Sequence, residues 1–210
     1  MNHAFRAFLF ATALLPLLAQ APPGAPAASP AQTTAPAPAL KPRVKLVTNY
    51  GPIVLELDPE AAPQTVQNFL NYVKAGHFKG TIFHRVIEGF MIQGGGMDED
   101  LKEKPTGAPI PNEAGRAFKA GLRNTRGTVA MARTSEPDSA QAQFFINTTD
   151  NVALDWKANT PEGTGYCAFG HVLEGMEVVD RIAKVKTGFL KGMANVPDYP
   201  VRIRNAELLP

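Results

Sequence analysis

Beyond residue 42 the hydrophobic positions follow mostly a period of two. Val44, Leu46 and Thr48 alternate with Arg43 and Lys45, and Ile53, Leu55 and Leu57 alternate around Glu56. That period places one set of side chains on one face of a strand. Asn49-Tyr50-Gly51-Pro52 between the two runs is turn chemistry, so this stretch predicts a β-hairpin. The period then changes. Val66, Phe69, Leu70 and Val73 recur at i, i+3, i+4 and i+7 behind Pro63, and Gly76 follows. This spacing predicts an amphipathic helix with a proline in its first turn. Strand patterns return at Thr81 to Ile87, Thr128 to Ala132, Gln143 to Asn147, Ala168 to Leu173 and Val201 to Leu208. A second helix is predicted over Met176 to Ala183, where Val179, Ile182 and Ala183 share a side. Residues 94–127 are rich in Gly and Pro and keep neither period, which predicts a long functional excursion. Many strands and two helices predict a mainly β domain, a barrel or a sandwich with the helices packed at its ends.

The first 42 residues follow neither pattern. Ala7 to Leu18 is an almost wholly apolar run of twelve residues behind Arg6, and Ala19-Gln20-Ala21 comes next. The run is short for a membrane span but suits the core of a secretory signal, with cleavage after Ala21. Pro22 disfavours that cleavage, and Ala25-Pro26-Ala27 offers a later site; an uncleaved segment would instead hold the chain at a membrane. From Ala21 to Pro42, 15 of 22 residues are Ala or Pro, the composition of an extended linker. The expected organisation is a signal peptide over 1–21, a linker over 22–42 and one folded domain over 43–210. It implies an exported protein, periplasmic or secreted. Hydrophobic residues make up 44% and charged residues 19% of the 210, and the net charge is +2 with no run of Lys and Arg. A nucleic-acid partner is therefore not expected. Cys167 is the sole cysteine, which excludes an intrachain disulfide, and it reads as a small buried hydrophobe.

Generic catalytic signatures are missing. No Gly-x-Ser-x-Gly elbow is present, and Gly94-Gly95-Gly96 leads into Met97 rather than a phosphate-loop lysine. His3, His77, His84 and His171 lack metal-ligand spacing, so neither a metal nor another cofactor is expected. Two longer runs stand out instead. The first is Phe83-His84-Arg85-Val86-Ile87-Glu88-Gly89-Phe90-Met91-Ile92-Gln93-Gly94-Gly95. The second is Gly127-Thr128-Val129-Ala130-Met131-Ala132, followed by Gln143-Phe144-Phe145-Ile146-Asn147. Together they resemble the signature segments of the cyclophilins, a family of peptidyl-prolyl cis-trans isomerases (rotamases). The resemblance runs from the first hairpin to the last strand, and Leu122-Arg123-Asn124-Thr125-Arg126-Gly127 is similar to secreted bacterial members.

The resemblance implies a closed eight-stranded antiparallel β-barrel capped by two α-helices, and an enzyme that turns X-Pro bonds and so assists the folding of exported proteins. Rotation about such a bond crosses a barrier of about 18–20 kcal/mol set by amide resonance, yet cis and trans differ by only ~0.5–1 kcal/mol. The catalyst needs no nucleophile, metal or proton shuttle; it must favour the twisted amide. By resemblance Arg85 polarises the prolyl amide and Gln93 fixes the guanidinium. Phe90, Met91, Phe145 and Leu154 form the pocket for the ring, with Tyr166 at its edge. Backbone groups of Ala132 and Arg133 pair with the bound chain as an added strand would. The implied partners are proline-containing segments of unfolded or folding polypeptides, and the domain is expected to act as a monomer. Some positions depart from the family. Ala153 stands where many members carry a tryptophan before the pocket leucine, and an inserted stretch from Trp156 to Gly165 follows. Arg133 and Tyr166 replace the rim Asn and His. These changes imply weak binding of cyclosporin. A binding domain that holds proline segments without turnover is the competing reading, against which Arg85 and Gln93 argue; a hydrolase lacks any nucleophile-base motif.

Overall fold

The computed structural model describes residues 41–210. The expected signal peptide, its cleavage sites and nearly all of the linker lie outside the described residues.

The predicted hairpin is present as β1 (Arg43–Thr48) and β2 (Gly51–Leu57), with Val44, Leu46, Ile53, Leu55 and Leu57 fully buried. Helix α1 (Pro63–Lys74) starts at its proline and buries Val66, Phe69, Leu70 and Val73. Then come β3 (Thr81–Ile82), β4 (Arg85–Ile87), β5 (Met91–Gly94), α2 (Ala114–Lys119), β6 (Thr128–Met131) and β7 (Phe144–Asn147). A single 3-10 turn at Val152–Leu154 leads to β8 (Ala168–Glu174), α3 (Met176–Ala183), β9 (Thr187–Leu190), β10 (Met193–Pro197) and β11 (Arg202–Leu209).

Nine strands form one antiparallel sheet in the order β3-β11-β1-β2-β8-β6-β7-β5-β4, and β9 and β10 form a separate hairpin. This corrects the expected closed eight-stranded barrel with two helices: the sheet is an open half-barrel, and the described residues contain three α-helices. The reason lies at Phe83 and His84. Thr81 to Ile87 was expected to be one strand, but it changes partners at these two residues. β3 pairs with β11 and β4 with β5, so the two pieces become opposite edges of the sheet and no ladder joins them. Register shifts at Val47/Thr48, Val54/Leu55 and Val129/Ala130 add local twist to the curl. Helix α2 falls inside the Gly/Pro-rich excursion, where its single turn and a half carries too little periodicity to predict.

The concave side holds the core. Phe69 of α1 meets Phe78, Phe144 and Phe169 at ring-centroid distances of 5.0, 5.5 and 5.2 Å. Full burial of each such ring contributes roughly 1.5–3 kcal/mol. The opposite face is not bare. Met91, Ala130, Phe145 and Ala168 form a second buried cluster, with Phe90, Leu122, Leu154 and Tyr166 packed on it. Strict alternation produces the division: Ile92, Val129, Phe144 and Ile146 point to the core, while Met91, Ala130 and Phe145 point outward. Burial on both faces explains why Phe144-Phe145-Ile146 reads as a continuous apolar run.

Candidate active site

Register aligns the site. Arg85 stands opposite Gln93, Gln93 opposite Phe145, Phe145 opposite Ala130, and Ala130 opposite Ala168. Directly opposed residues of antiparallel strands share a face. One row across five strands therefore carries a guanidinium, a carboxamide and an aromatic ring side by side. Met91 flanks this row from β5. The 3-10 turn and Tyr166 wall the other side, so Arg85, Phe90, Met91, Gln93, Ala132, Arg133, Phe145, Leu154 and Tyr166 line one cleft. All nine residues singled out in the sequence come together there. A more polar hollow adjoins it and shares Gln93, Ala132 and Arg133; Gln143, Glu103 and Lys104 also line that hollow.

Hydrogen bonds fix the polar wall. Arg85 Nη1 donates to Gln93 Oε1 at 3.3 Å, and Gln93 Nε2 donates to Gln143 Oε1 at 3.0 Å. The carboxamide of Gln93 is thereby held in one orientation, its oxygen toward the guanidinium. Arg85 is half-buried and takes part in none of the ion pairs among the described residues. Its charge is thus left for whatever enters the cleft. Across the cleft, Phe145 meets Tyr166 edge-on at 5.7 Å, and the Arg133 guanidinium lies 4.5 Å from the Tyr166 ring centre. Arg133 Nε also donates to Gly165 O at 3.0 Å, which ties the rim to the inserted stretch. The Ala132 amide already donates to Gln143 O at 3.0 Å. Of the strand-like pairing expected at Ala132, only its carbonyl remains for a bound chain. His84, next to Arg85, is 5% exposed with an unpartnered Nδ1; burial, then the Arg85 charge, lowers its pKa to about 4. It is neutral at ordinary pH.

Two parts of the site were not legible in the sequence. One is Gln143, the far end of the Arg85–Gln93 relay. The other is a buried amide lattice behind the apolar wall. Asn124 Nδ2 lies within 3.1–3.3 Å of Asp155 Oδ1, Leu154 O and Tyr166 O, and Asn147 Nδ2 donates to Asn124 Oδ1 at 3.3 Å. Asn151 Nδ2 donates to Phe90 O at 2.9 Å and to Asn147 Oδ1 at 2.7 Å. The lattice therefore grips the backbone of Phe90, Leu154 and Tyr166 from beneath. Asn147 was its available signal, a polar residue closing an apolar strand. Trp156 lies elsewhere: its ring packs at 5.8 Å from Phe118 of α2, its indole donates to Asn159 Oδ1 at 3.0 Å, and it does not line the cleft.

Comparison with known proteins points to one family. Residues 43–208 match the family model described as cyclophilin type peptidyl-prolyl cis-trans isomerase/CLD. A peptidyl-prolyl cis-trans isomerase of Streptomyces antibioticus is 56% identical over 166 residues, covering 79% of this chain and 98% of that protein. Peptidyl-prolyl cis-trans isomerase A of Dickeya dadantii is 50% identical over 166 residues, covering 79% of this chain and 84% of that protein. Among solved structures, a Cryptosporidium parvum cyclophilin type peptidyl-prolyl cis-trans isomerase, crystallised in the presence of the dipeptide Ala-Pro, superposes with a TM-score of 0.64 at 26% identity, covering 80% of this chain and 99% of that one. With the family model spanning residues 43–208 and relatives of 56% and 50% identity along it, the chain belongs to the cyclophilin family of peptidyl-prolyl cis-trans isomerases.

Proposed function

We propose that the cleft built on β4, β5, β6 and β7 is where this isomerase works, that its substrates are X-Pro bonds in exported polypeptides, and that Arg85 is the group that lowers the barrier. The observation that carries the reading is a guanidinium with no ion-pair partner among the described residues, held by Gln93 against an apolar cleft. A proline ring seated on Phe90, Met91, Phe145 and Leu154 brings its amide against that charge. Hydrogen bonds from Arg85 to the substrate carbonyl, and toward the prolyl nitrogen as its lone pair leaves resonance, stabilise the twisted amide more than either planar form. Each ~1.4 kcal/mol of that preference is worth tenfold in rate. Gln93 and Gln143 position the fork; no proton changes hands. Stacking of Arg133 on Tyr166 and the free Ala132 carbonyl would hold the chain on either side of the proline.

A coupled isomerisation assay on a prolyl tetrapeptide tests this. The domain should accelerate cis-to-trans conversion, and Arg85→Ala should remove most of the acceleration while melting near the wild-type temperature. Full activity in Arg85→Ala would overturn the assignment. The export context is proposed from the apolar run Ala7 to Leu18 and the Ala/Pro-rich stretch after it. The mature protein would act as a monomer in a periplasm-like or extracellular space and aid the folding of proteins that share it. Intact-mass measurement of the protein from its native cell should show loss of the N-terminal segment; an intact Met1 on cytoplasmic protein would reject this location.

A further inference from the structure

Two guanidiniums line the prolyl cleft, and the charge of only one, Arg85, serves the rotation. Arg133 stands at the rim, half-buried, where it lines both the cleft and the adjoining polar hollow. Every hydrogen bond of its side chain goes to a neutral backbone carbonyl. Nε donates to Gly165 O at 3.0 Å, and Nη1 donates to Thr134 O at 2.9 Å and Ser135 O at 3.3 Å. These bonds, with the Tyr166 ring 4.5 Å away, fix the fork but leave its charge uncompensated. The anchor is itself stiff. Gly165 has φ of 68°, a Cβ there would meet the backbone of Leu154, Asp155 and Trp156 at 2.7 Å, and its carbonyl also accepts from Asn112 Nδ2 at 3.1 Å. The inserted stretch thus ends on a residue that holds Arg133 in place.

The surroundings supply no counter-ion. No Asp or Glu lines the cleft, and Glu103 is the sole acid lining the hollow, set against Arg133 and Lys104. Arg133 takes part in none of the ion pairs among the described residues, and neither do Glu103, Glu136 and Asp138. Asp138 instead accepts the Asn112 N–H through Oδ1 at 2.7 Å. A planar donor that is always charged, held rigidly and left without an anion matches a carboxylate.

We propose that Arg133 is a specificity-determining residue, and that the client segments this isomerase prefers carry an Asp or Glu beside the proline. Because Arg133 borders the ring pocket itself, the acid lies within about two residues of the proline, given ~3.3 Å of extended chain per residue. The proposal rests on the cleft being the catalytic site. It adds a charge preference that the ring pocket and the Arg85–Gln93 pair do not supply.

The test uses prolyl hexapeptides with Glu, Gln or Lys at each of the two positions on either side of the proline. Isomerisation is followed by NMR exchange, so that no coupling protease adds a charge preference of its own. The quantity read is the ratio of kcat/KM for the Glu and Gln peptides within one protein, which cancels any loss of folded material or of basal activity. Wild-type protein should favour Glu about tenfold at one of the four positions, and Lys there should be the poorest. Arg133→Gln should bring the ratio to about one, and Arg133→Glu should invert the order so that Lys exceeds Glu. A wild-type ratio near one at all four positions overturns the proposal. So does a preference that survives Arg133→Gln, which would place its source in Arg85 or Lys104 and leave Arg133 a structural part of the rim. Failure of the cleft assignment is distinguishable, because it appears as activity on the Gln peptides that survives Arg85→Ala.

Discussion

Replacing Asn124 by alanine tests whether the lattice beneath the cleft holds its shape. Asn124 is 1% exposed, so water cannot take over its bonds. Some partners keep a second bond after the change: Asp155 Oδ1 retains the Asn124 backbone N–H at 2.7 Å, Leu154 O retains the Tyr166 N–H at 2.9 Å, and Asn147 Nδ2 retains Thr128 Oγ1 at 2.9 Å. The loss concentrates on Tyr166 O, which gives up its bond to Asn124 Nδ2 at 3.1 Å. A buried acceptor left unsatisfied costs about 1–3 kcal/mol, and the small void left by the amide adds ~1 kcal/mol. The expected destabilisation is therefore about 2–4 kcal/mol, read as a lower urea midpoint at constant m-value. Leu154 and Tyr166 line the cleft but lie outside the Arg85–Gln93 pair, so KM on a prolyl peptide should rise several-fold while kcat falls less. Asn124→Asp should cost more than Asn124→Ala, because it keeps the shape but turns a donor into a carboxylate facing Asp155. An Asn124→Ala protein within ~1 kcal/mol of wild type, with unaltered KM, would refute the idea that these amides position the wall.

Gly96→Ala would place a Cβ 2.3 Å from Gln143 Cγ; the displaced Gln143 should release Gln93 and lower kcat/KM several-fold with little change in melting temperature, and Gln143→Ala should match that loss. The isomerisation rate should stay nearly flat from mildly acidic to mildly basic pH because the proposed mechanism transfers no proton; a bell-shaped profile would instead indicate acid-base chemistry. Stability should behave differently: burial lowers His84 from 6.5 to about 4, so the unfolded chain binds the extra proton in that window, and the stability present above pH 6.5 should fall toward pH 4 by up to ~3 kcal/mol. Urea midpoints across that range check it, and His84→Gln should flatten the dependence. Cyclosporin should inhibit weakly, because Ala153 offers no indole and Trp156 is engaged with Phe118 and Asn159 away from the cleft. Ala153→Trp should gain one to three orders of magnitude in affinity with little change in turnover, and tight inhibition of the unmodified protein would count against this.

The alternating runs were sufficient to find the first hairpin, the long helix and the strands that carry the cleft, because period-two patterns with one buried face are hard to satisfy otherwise. They could not show that the Thr81 to Ile87 run divides at Phe83 and His84. Every residue from Thr81 to His84 is buried, so neither composition nor alternation marks the point where the backbone changes partners. Most of the candidate site residues could be named from the sequence because they lie beside core residues in runs that resemble a known family's. Gln143 and the asparagines could not, for the opposite reason. A carboxamide is as common at the surface as in a buried network, and only coordinates show that Asn147 is fully buried and bonded to Thr128 and Asn124. The β9–β10 hairpin escaped because Gly188-Phe189-Leu190 faces water throughout and shows no alternation at all.

The same alternation that made the site readable also explains how it can work by position alone. Every cleft residue on the sheet is a chain neighbour of a core residue: Arg85 precedes Val86, Met91 precedes Ile92, and Phe145 lies between Phe144 and Ile146. Moving the cleft wall by a fraction of an ångström would require the aromatic cluster around Phe69 to repack, and close-packed cores resist that. Electrostatic stabilisation of a twisted amide depends on that stiffness. The guanidinium must already stand where the nitrogen lone pair will emerge, since any reorganisation at the moment of rotation would subtract from the stabilisation. In the role proposed for it, Arg85 suits both demands. Its backbone lies in the sheet beside core residues, while its side chain is half-exposed and tethered only through Gln93. It follows that enlarging the core under β7, far from any substrate contact, should slow catalysis more than it weakens peptide binding, whereas disturbing the rim at Arg133 or Tyr166 should do the reverse.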